Sequence, residues 1–122
     1  MNLKFKGKSA IISGGSGGMG LAIVGKLIKA KIRILIIDIK EPPKKILNNK
    51  LISFAKIDLT EFVEIKKAVK KFTASTKRVD YLINAAGILM FNEDIGVEKI
   101  NIKTWNKVFD INLTSMVYLL KC

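Results

Sequence analysis

Residues 9–20 read Ser-Ala-Ile-Ile-Ser-Gly-Gly-Ser-Gly-Gly-Met-Gly, a short apolar run that leads directly into five glycines within seven residues. Glycine is required where a backbone passes close to phosphate oxygens and where a tight turn takes a positive φ. The amphipathic stretch that follows predicts a helix, and its free N–H groups and positive dipole end suit a pyrophosphate. The segment therefore predicts a strand, a phosphate-binding turn and a helix in succession.

A single carboxylate, Asp38, lies near the end of the next apolar run, at residues 32–39. In that position an aspartate accepts hydrogen bonds from a ribose diol and repels a 2′-phosphate, so the sequence favours NAD over NADP. Lys40, two residues further on, weakens that preference. The alternative interpretation is that Asp38 is only a solvated strand end.

Apolar runs and amphipathic stretches alternate along the rest of the chain. Strands are predicted at 9–13, 32–39, 51–57 and 80–85, and helices at 19–30, at 61–73 and from Lys103 onward. Alternation of this kind with right-handed crossovers gives a doubly wound, Rossmann-type parallel sheet with helices on both faces. We expect residues 1–122 to form a single dinucleotide-binding α/β domain, incomplete at its C-terminus after the fourth strand and the following helix. Within the last helix, Trp105 and Phe109 are predicted to lie in the core.

Composition excludes several function classes. The chain has 122 residues, is 49% hydrophobic, and has a formal net charge of +12. The lysines are scattered and aromatic residues are not interleaved with them, so a nucleic-acid interface is disfavoured. With no histidine and one cysteine, a zinc site and a Ser-His-Asp mechanism are excluded within these residues, and no metal site is expected. The single cysteine fits a reducing, cytoplasmic location, and no stretch has the length of a membrane span.

Two glycine registers are possible, and other segments of the chain distinguish them. Gly15-x-Gly17-x-x-Gly20 fits the general dinucleotide fingerprint, whereas Gly14-x-x-x-Gly18-x-Gly20 fits a longer spacing. In the second register the chain resembles the short-chain dehydrogenase/reductase family. The matching segments are Ser13 to Gly20, Asp38 at 24 residues after Gly14, Asp58-Leu59-Thr60, Asn84-Ala85-Ala86-Gly87, and Asp110-Ile111-Asn112-Leu113-Thr114.

The resemblance implies a site for a nicotinamide dinucleotide and assigns residues to it. Asn112 takes the place of the catalytic-site asparagine of the family. The residues implied in cofactor binding are Ser13, Gly14, Ser16, Gly17, Gly18, Met19, Gly20, Asp38, Ile39, Asp58, Leu59, Asn84, Ala85, Ala86 and Gly87. Asp58 has an alternative role as a cap for the helix that begins near Glu61. Asn84 has an alternative role in tying the fourth strand to its neighbour.

The chain departs from the family pattern in three places. Lys31 stands where a glycine usually closes the first helix, and a lysine at positive φ costs about 1 kcal/mol. Ala85 replaces the second asparagine of the fourth-strand motif. The catalytic serine and the Tyr-x-x-x-Lys pair are missing, because Tyr81 and Tyr118 are followed four residues later by Ala85 and Cys122.

The resemblance therefore implies the N-terminal, cofactor-binding half of an oxidoreductase that transfers a hydride between a nicotinamide and a small alcohol or ketone. The final helix resembles the one that packs between subunits in the family, so the full-length parent is expected to be a homo-oligomer. We also expect the isolated chain to be poorly stable. The alternative function is a catalytically inactive, nucleotide-binding or regulatory short protein.

Overall fold

The structure, a computed structural model, describes residues 4–90 and 96–122, and these form one parallel sheet covered by helices on both faces. Residues 91–95, which belong to the segment between the fourth strand and the last helix, lie outside the described residues. The strands are β1 (Ser9–Ser13), β2 (Arg33–Asp38), β3 (Ile52–Lys56) and β4 (Tyr81–Asn84). The helices are α1 (Gly18–Lys29), α2 (Lys44–Leu47), α3 (Phe62–Thr76), α4 (Ile102–Phe109) and α5 (Ser115–Lys121).

The strand order is β3-β2-β1-β4, and all three strand pairs are parallel. The strands β2 and β3 follow β1 on one side and β4 lies on its other side, so the direction in which the chain adds strands reverses at β1. Ser13 of β1 pairs with Ile37 of β2 and with Asn84 of β4. This confirms the predicted doubly wound, Rossmann-type arrangement. The reversal also opens a crevice at the carboxyl ends of β1 and β4, which is where ligands bind in sheets of this topology.

Alternation along the central strands divides the core into two layers. Ile11, Leu35 and Ile37 face α3 and α5, where they pack with Ile65 and the other buried residues of α3. Their neighbours Ala10, Ile12, Ile34 and Ile36 face the opposite side and pack against Val24 and Leu27 of α1. Because β1 and β2 are buried on both faces, they read as continuous apolar runs rather than as alternating ones. Of the predicted buried stripe of α3, Ile65, Val69 and Phe72 are buried as expected, whereas Phe62 is only half-buried.

The first helix ends as its sequence predicts. Lys31 has a φ of 58°, in the left-handed region that a glycine would take without strain. The N–H of Lys31 donates to the carbonyl of Ile28, and the N–H of Ile32 donates to that of Leu27, so the last turn of α1 is satisfied. A second lysine in this conformation, Lys77 with a φ of 69°, ends α3 and was not predicted.

Two local elements differ from the sequence prediction. The short helix α2 follows Pro42 and Pro43, and its single turn is too brief to show helical periodicity. The predicted last helix is interrupted by a π-helical segment, Asp110–Thr114, between α4 and α5. A wide turn of this kind displaces the side chains around it and is frequent at functional sites.

The prediction that Trp105 and Phe109 lie in the core is wrong. Their side chains are 46% and 42% exposed, and their rings pack against each other with centroids 4.6 Å apart. The face of this helical segment that meets the rest of the domain carries the buried residues Thr104, Ser115 and Leu119 instead. The buried face therefore carries two hydroxyl side chains and one leucine while the more apolar face is exposed, so apolar periodicity identified the wrong face as buried.

One edge of the sheet is formed by β4, which pairs only with β1 among the described residues. All four of its residues are half-buried, in contrast to the fully buried β1. Within residues 4–90 and 96–122, no helix combines the length and apolar character that crossing a membrane requires.

Candidate functional site

Three predicted site residues lie together at the carboxyl ends of the strands. Gly14 follows β1, Asp38 ends β2 and Asn84 ends β4, and the carboxyl ends of these adjacent parallel strands meet at the crevice. The backbone closes the arrangement, because the N–H of Gly14 donates to the carbonyl of Ile37 and that of Ala85 donates to Ser13, both at 3.0 Å. The fold therefore brings the glycine-rich turn, the acidic strand end and the fourth-strand motif to one place.

Two glycines of the turn are required by internal packing. Gly14 has a φ of 69°, and a Cβ there would lie 2.6 Å from the backbone nitrogen of Ala86. A Cβ on Gly20 would clash with the carbonyl oxygen of Gly14 and would lie 2.8 Å from the Cα of Gly15. These two glycines let α1 start directly against the end of β1.

The other glycines of the turn have a different role. A Cβ on Gly18 would meet nothing within 4 Å, and one on Gly17 would meet only the carbonyl oxygen of Gly14, at 3.6 Å. Gly17 begins α1 without any side-chain cap. Because the first-turn N–H groups of a helix lack intrahelical partners, this end presents open donors and no side chain to block an anion.

Asp38 is held against the glycine-rich turn by two backbone donors. Its Oδ2 accepts from the N–H of Ser16 at 3.0 Å, and its Oδ1 accepts from the N–H of Lys40 at 3.0 Å. Each carboxylate oxygen has a second acceptor position free for a ligand hydroxyl. The two bonds fix the orientation of the carboxylate before any ligand is present, so the simple role of a solvated strand end does not describe it.

Two buried polar atoms of the predicted site lack a partner within the described structure, namely the hydroxyl of Ser16 and Oδ1 of Asn84. An unsatisfied buried polar atom is costly, and such atoms mark places where a ligand or water is held. Together with the open space above Gly17 and Gly18, they fit a ligand that carries phosphate and hydroxyl groups. The residues present are therefore compatible with a dinucleotide.

A cavity of about 490 Å³ lies over the carboxyl ends of the strands. Ten predicted residues line it, namely Gly14, Ser16, Gly17, Asp38, Ile39, Asp58, Leu59, Ala85, Ala86 and Gly87. Lys40, which the sequence placed beside Asp38, lines it as well. Sequence analysis did not identify the other lining residues, namely the cation Lys107 and the apolar residues Ile57, Ile88, Leu89, Met90 and Ile111. The cavity thus combines polar groups near the glycines with an apolar wall suited to flat rings.

Six predicted residues do not line the cavity. They are Ser13, Gly18, Met19, Gly20, Asn84 and Asn112. Met19 is 70% exposed on the outer side of the first turn of α1. Ser13 is buried within β1, where its backbone pairs with both neighbouring strands. For Asn84, the predicted link to the neighbouring strand is made by the backbone, through the pair Ser13–Asn84 and the bond from Ala85 to Ser13.

Asp58 lies on the cavity wall and organises its own turn. Its Oδ1 accepts from the N–H of Thr60 at 3.0 Å and from the Thr60 hydroxyl at 2.9 Å. The alternative that Asp58 caps the next helix is wrong, because the N-cap of α3 is Glu61 and no side chain caps it. Asp58 is exposed, so it keeps acceptor positions for a ligand.

Asn112 joins the last helical segment to the loop that follows Gly87. Its Oδ1 accepts from the N–H of Ile88 at 2.8 Å, and its Nδ2 donates to the carbonyl of Ile88 at 3.0 Å. It lies in the π-helical segment, whose wide turn carries this side chain toward the loop. Asn112 therefore fixes the loop that forms one wall of the cavity, and this contact accounts for an asparagine in the middle of a helix.

Comparison with known proteins agrees with this geometry. The family model for short chain dehydrogenases matches residues 8–122. The chain belongs to the short-chain dehydrogenase family. Among curated proteins, it is 30% identical to the 3-oxoacyl-[acyl-carrier-protein] reductase FabG of Chlamydia pneumoniae over 124 residues, covering 97% of this chain and 49% of that protein. The chain spans about half the length of the curated relatives it matches.

Solved structures of other proteins have the same fold. Carveol dehydrogenase from Mycobacterium avium, in complex with NAD, superposes with a TM-score of 0.84 at 26% identity, covering 97% of this chain and 48% of that one. ElxO with NADP bound superposes with a TM-score of 0.81 at 22% identity, covering 93% of this chain and 48% of that one. The same fold is thus found with NAD bound in the first protein and with NADP bound in the second.

In this short-chain dehydrogenase domain, the two kinds of glycine predict opposite effects of alanine. Gly20→Ala is expected to lower the free energy of unfolding by about 1–3 kcal/mol, because the new methyl group overlaps Gly14. Gly25→Ala, in the same helix α1, meets nothing within 4 Å and is expected to raise it by about 0.5–1 kcal/mol. Urea unfolding followed by circular dichroism measures both. Equal effects of the two substitutions would contradict the packing role of Gly20.

Proposed function

We propose that this chain binds a nicotinamide dinucleotide through its adenosine half and prefers NAD(H). The observation that carries the proposal is the bond from the N–H of Ser16 to Asp38, which holds a carboxylate beside the glycine-rich turn at the mouth of one cavity. The phosphates would lie at the open turn formed by Gly17 and Gly18, and the ribose diol at Asp38. The base would lie between Asp58 and the apolar wall near Ile111.

Each part of this arrangement has a physical reason. The turn offers backbone donors and a helix dipole to the pyrophosphate, with no side chain in the way. The fixed carboxylate of Asp38 accepts from hydroxyl groups, and its charge opposes a 2′-phosphate. Apolar side chains such as Leu59 and Ile111 cover a flat base and exclude water from it. Gly14 and Gly20 contribute indirectly, since they let the turn approach the end of β1.

The preference for NAD depends on the balance of charge around the ribose. Asp38 disfavours the extra phosphate of NADP, whereas Lys40 and Lys107 line the same cavity and attract it. Asp38 is preoriented by its two backbone bonds, while the two lysines have no carboxylate partner within the described part of the chain. A fixed charge at the ribose outweighs two mobile, solvated ones, so we infer a preference for NAD.

Titration with NADH and NADPH, followed by cofactor fluorescence, tests this preference. Asp38→Ala is expected to weaken NADH binding by at least about tenfold, because hydrogen bonds to a charged group are lost. NADPH binding is expected to change less or to improve. Glu64→Ala, which removes an exposed carboxylate of α3 that does not line the cavity, is the matched control and is expected to leave both affinities unchanged. Tighter NADPH binding by the unaltered chain, or no effect of Asp38→Ala on NADH, would refute the assignment.

For the longer protein to which such a domain belongs in this family, we propose an oxidoreductase acting on a small alcohol or ketone. When bound, the nicotinamide would act as the hydride donor or acceptor. The residues of this chain bind and orient it: the glycine-rich turn holds the phosphates, Asp38 holds the ribose, and the apolar wall excludes water. Asn112, by holding the backbone of Ile88 in place, acts as a positioning residue for the loop beside the nicotinamide end.

A second function, nucleotide binding without chemistry, is favoured by the placement of the two tyrosines. The hydroxyl of Tyr81 accepts from the N–H of Gly7 at 2.7 Å, at the amino end of the sheet and away from the cavity. Tyr118 packs on Phe62 of α3, with ring centroids 5.1 Å apart. Since neither tyrosine is near the candidate site, we infer that the 122-residue polypeptide binds the dinucleotide without turnover.

The assembly and the location of the protein are also proposals. The exposed faces of α4 and α5 carry large apolar side chains, which supports packing against a second copy in a homo-oligomer. The lone, exposed Cys122 forms no disulfide within the chain, which supports a reducing, cytoplasmic environment.

A further inference from the structure

The two arginines of the chain line the same groove. Of 22 basic residues, only Arg33 and Arg78 are arginine, and both line a cavity of about 380 Å³ at the amino ends of the strands. Lys6 and Lys8 line it as well. The groove is at the opposite end of the sheet from the candidate dinucleotide site, since it contains the first residue of β1 and the first residue of β2.

Asp80 is the only carboxylate among the described residues that line the groove, and its oxygens are already hydrogen-bonded. Its Oδ2 accepts from the N–H of Lys8 at 2.6 Å, from the N–H of Ser9 at 3.0 Å and from the Ser9 hydroxyl at 3.1 Å. Its Oδ1 is bound by the guanidinium of Arg78, and the side chain is 6% exposed. The backbone hydrogen bond from Lys8, followed by the other donors, holds the pKa of Asp80 below its usual value. The negative charge of Asp80 is therefore balanced by that of Arg78, and it does not offset the charges of the other cations that line the groove.

Arg33, in contrast, is preoriented and has no acidic partner. Its two terminal nitrogens donate to the carbonyl of Ser75 at 3.3 Å and to the Ser75 hydroxyl at 3.0 Å. Within the described residues no carboxylate lies at ion-pair distance from it. A guanidinium has five N–H donors in a planar fork, so most remain free. With Arg78 paired to Asp80, the described lining of the groove has three further positive charges without an ion-pair partner in residues 4–90 and 96–122, on Arg33, Lys6 and Lys8.

The end of α3 does not cancel this charge. The carbonyls in its last turn are already engaged, because that of Phe72 accepts from the hydroxyls of Ser75 and Thr76, and that of Thr73 accepts from the N–H of Lys77. Ser9, Ser75 and Thr76 also line the groove, but their hydroxyl hydrogens are already donated, to the carbonyl of Arg78 and to that of Phe72. The donors that the groove offers to a ligand are therefore its guanidinium and ammonium groups, which suit a compact oxyanion.

We propose that this groove binds a phosphoryl group, with Arg33 as the main contact and Lys6 and Lys8 completing the charge. The use of arginine at this groove, in a chain whose other basic residues are lysine, fits a phosphate ligand, because the planar guanidinium fork binds two phosphate oxygens at once. The site is separate from the dinucleotide site and does not depend on the proposed function.

Equilibrium dialysis with radiolabelled inorganic phosphate, at a constant ionic strength maintained with chloride, tests the proposal on the whole chain. Saturable binding is expected, and Arg33→Gln is expected to weaken it by about fivefold, the size of one partly exposed charged contact. Lys71→Gln removes the same charge from the exposed face of α3, outside the groove, and is expected to change it by less than about twofold. Circular dichroism of each variant confirms that the fold is retained.

A variant of the glycine-rich turn separates the two ends of the sheet. Gly18 has open space around it, so Gly18→Trp places a large side chain over the turn without a clash at its Cβ. This variant is expected to leave phosphate binding at the groove intact. Loss of phosphate binding in this variant would place the anion at the turn and overturn the proposal. Equal losses for Arg33→Gln and Lys71→Gln would show attraction by net charge alone, and absence of saturable binding would show that there is no site. Both results would refute it.

Discussion

The purified 122-residue chain is expected to bind NADH and yet to give no detectable turnover of a secondary alcohol. Proton transfer to or from the substrate hydroxyl supplies about 10²–10⁴-fold of the rate in enzymes of this general type. The chain contains no Tyr-x-x-x-Lys pair to perform it. Tyr81 is bonded to Gly7 at the far end of the sheet, and Tyr118 is packed on Phe62. Neither can move to the cavity without breaking these contacts.

The experiment measures binding and turnover on the same preparation. NADH fluorescence shows that the cavity is formed, and absorbance at the reduced-nicotinamide band during incubation with NAD and an alcohol shows turnover. The control is Gly18→Trp, which blocks the turn and is expected to abolish binding. Turnover that depends on cofactor and disappears in Gly18→Trp would contradict the prediction, because it would require an acid–base group that we have not identified among these residues.

The parts of the fold that sequence analysis predicted correctly have strong local causes. The continuous apolar run that forms β2 can only be a strand buried on both faces, and the stripe of α3 repeats with helical period over three turns. The glycine spacing was specific because two of its members are required by the geometry of the turn itself: Gly14 has a positive φ of 69°, and a side chain on Gly20 would clash with Gly14. Features determined by neighbours in sequence were therefore predictable.

The features that sequence analysis missed depend on contacts between distant segments. Lys107 reaches the candidate cavity only because the segment from α4 onward folds back over the end of β4, and periodicity assigns it simply to a wet face. The π-helical segment contains Asn112, whose side chain bonds to the backbone of Ile88, 24 residues away. The exposure of Trp105 and Phe109 depends on which side of an apolar helix meets the sheet. No local pattern contains that information.

The same helix carries the second large expected effect, which concerns association. Five apolar side chains form an exposed stripe along α4, the π-helical segment and α5, at intervals of three or four residues. The stripe consists of Trp105, Phe109, Leu113, Val117 and Leu120, which are 46%, 42%, 54%, 49% and 72% exposed. Leu119, which lies between Val117 and Leu120 in α5, is buried and does not belong to the stripe. Contiguous apolar surface of this size marks an interaction site or an aggregation risk.

We expect the isolated chain to self-associate through this stripe and to unfold at low denaturant concentration when dilute. Covering each half-exposed side chain contributes about 1 kcal/mol at 25 cal/mol per Å², so five of them approach the total stability of a small domain, about 5 kcal/mol at its lower limit. The free edge of β4, which pairs only with β1 among the described residues, adds a second surface for association. The net charge of +12 opposes contact between copies but does not cover apolar area.

Size-exclusion chromatography at several concentrations, with light scattering, measures the association. The double variant Leu113→Lys and Leu120→Lys is expected to shift the chain toward monomer and to reduce binding of an apolar dye. Val63→Lys adds charge at a side chain that is 61% exposed on α3, outside the stripe, and is expected to have little effect. A chain that stays monomeric at all concentrations, with one cooperative unfolding transition at an ordinary mesophilic temperature, would contradict the prediction. An equal shift by Val63→Lys would show that added charge, not loss of the stripe, disperses the copies.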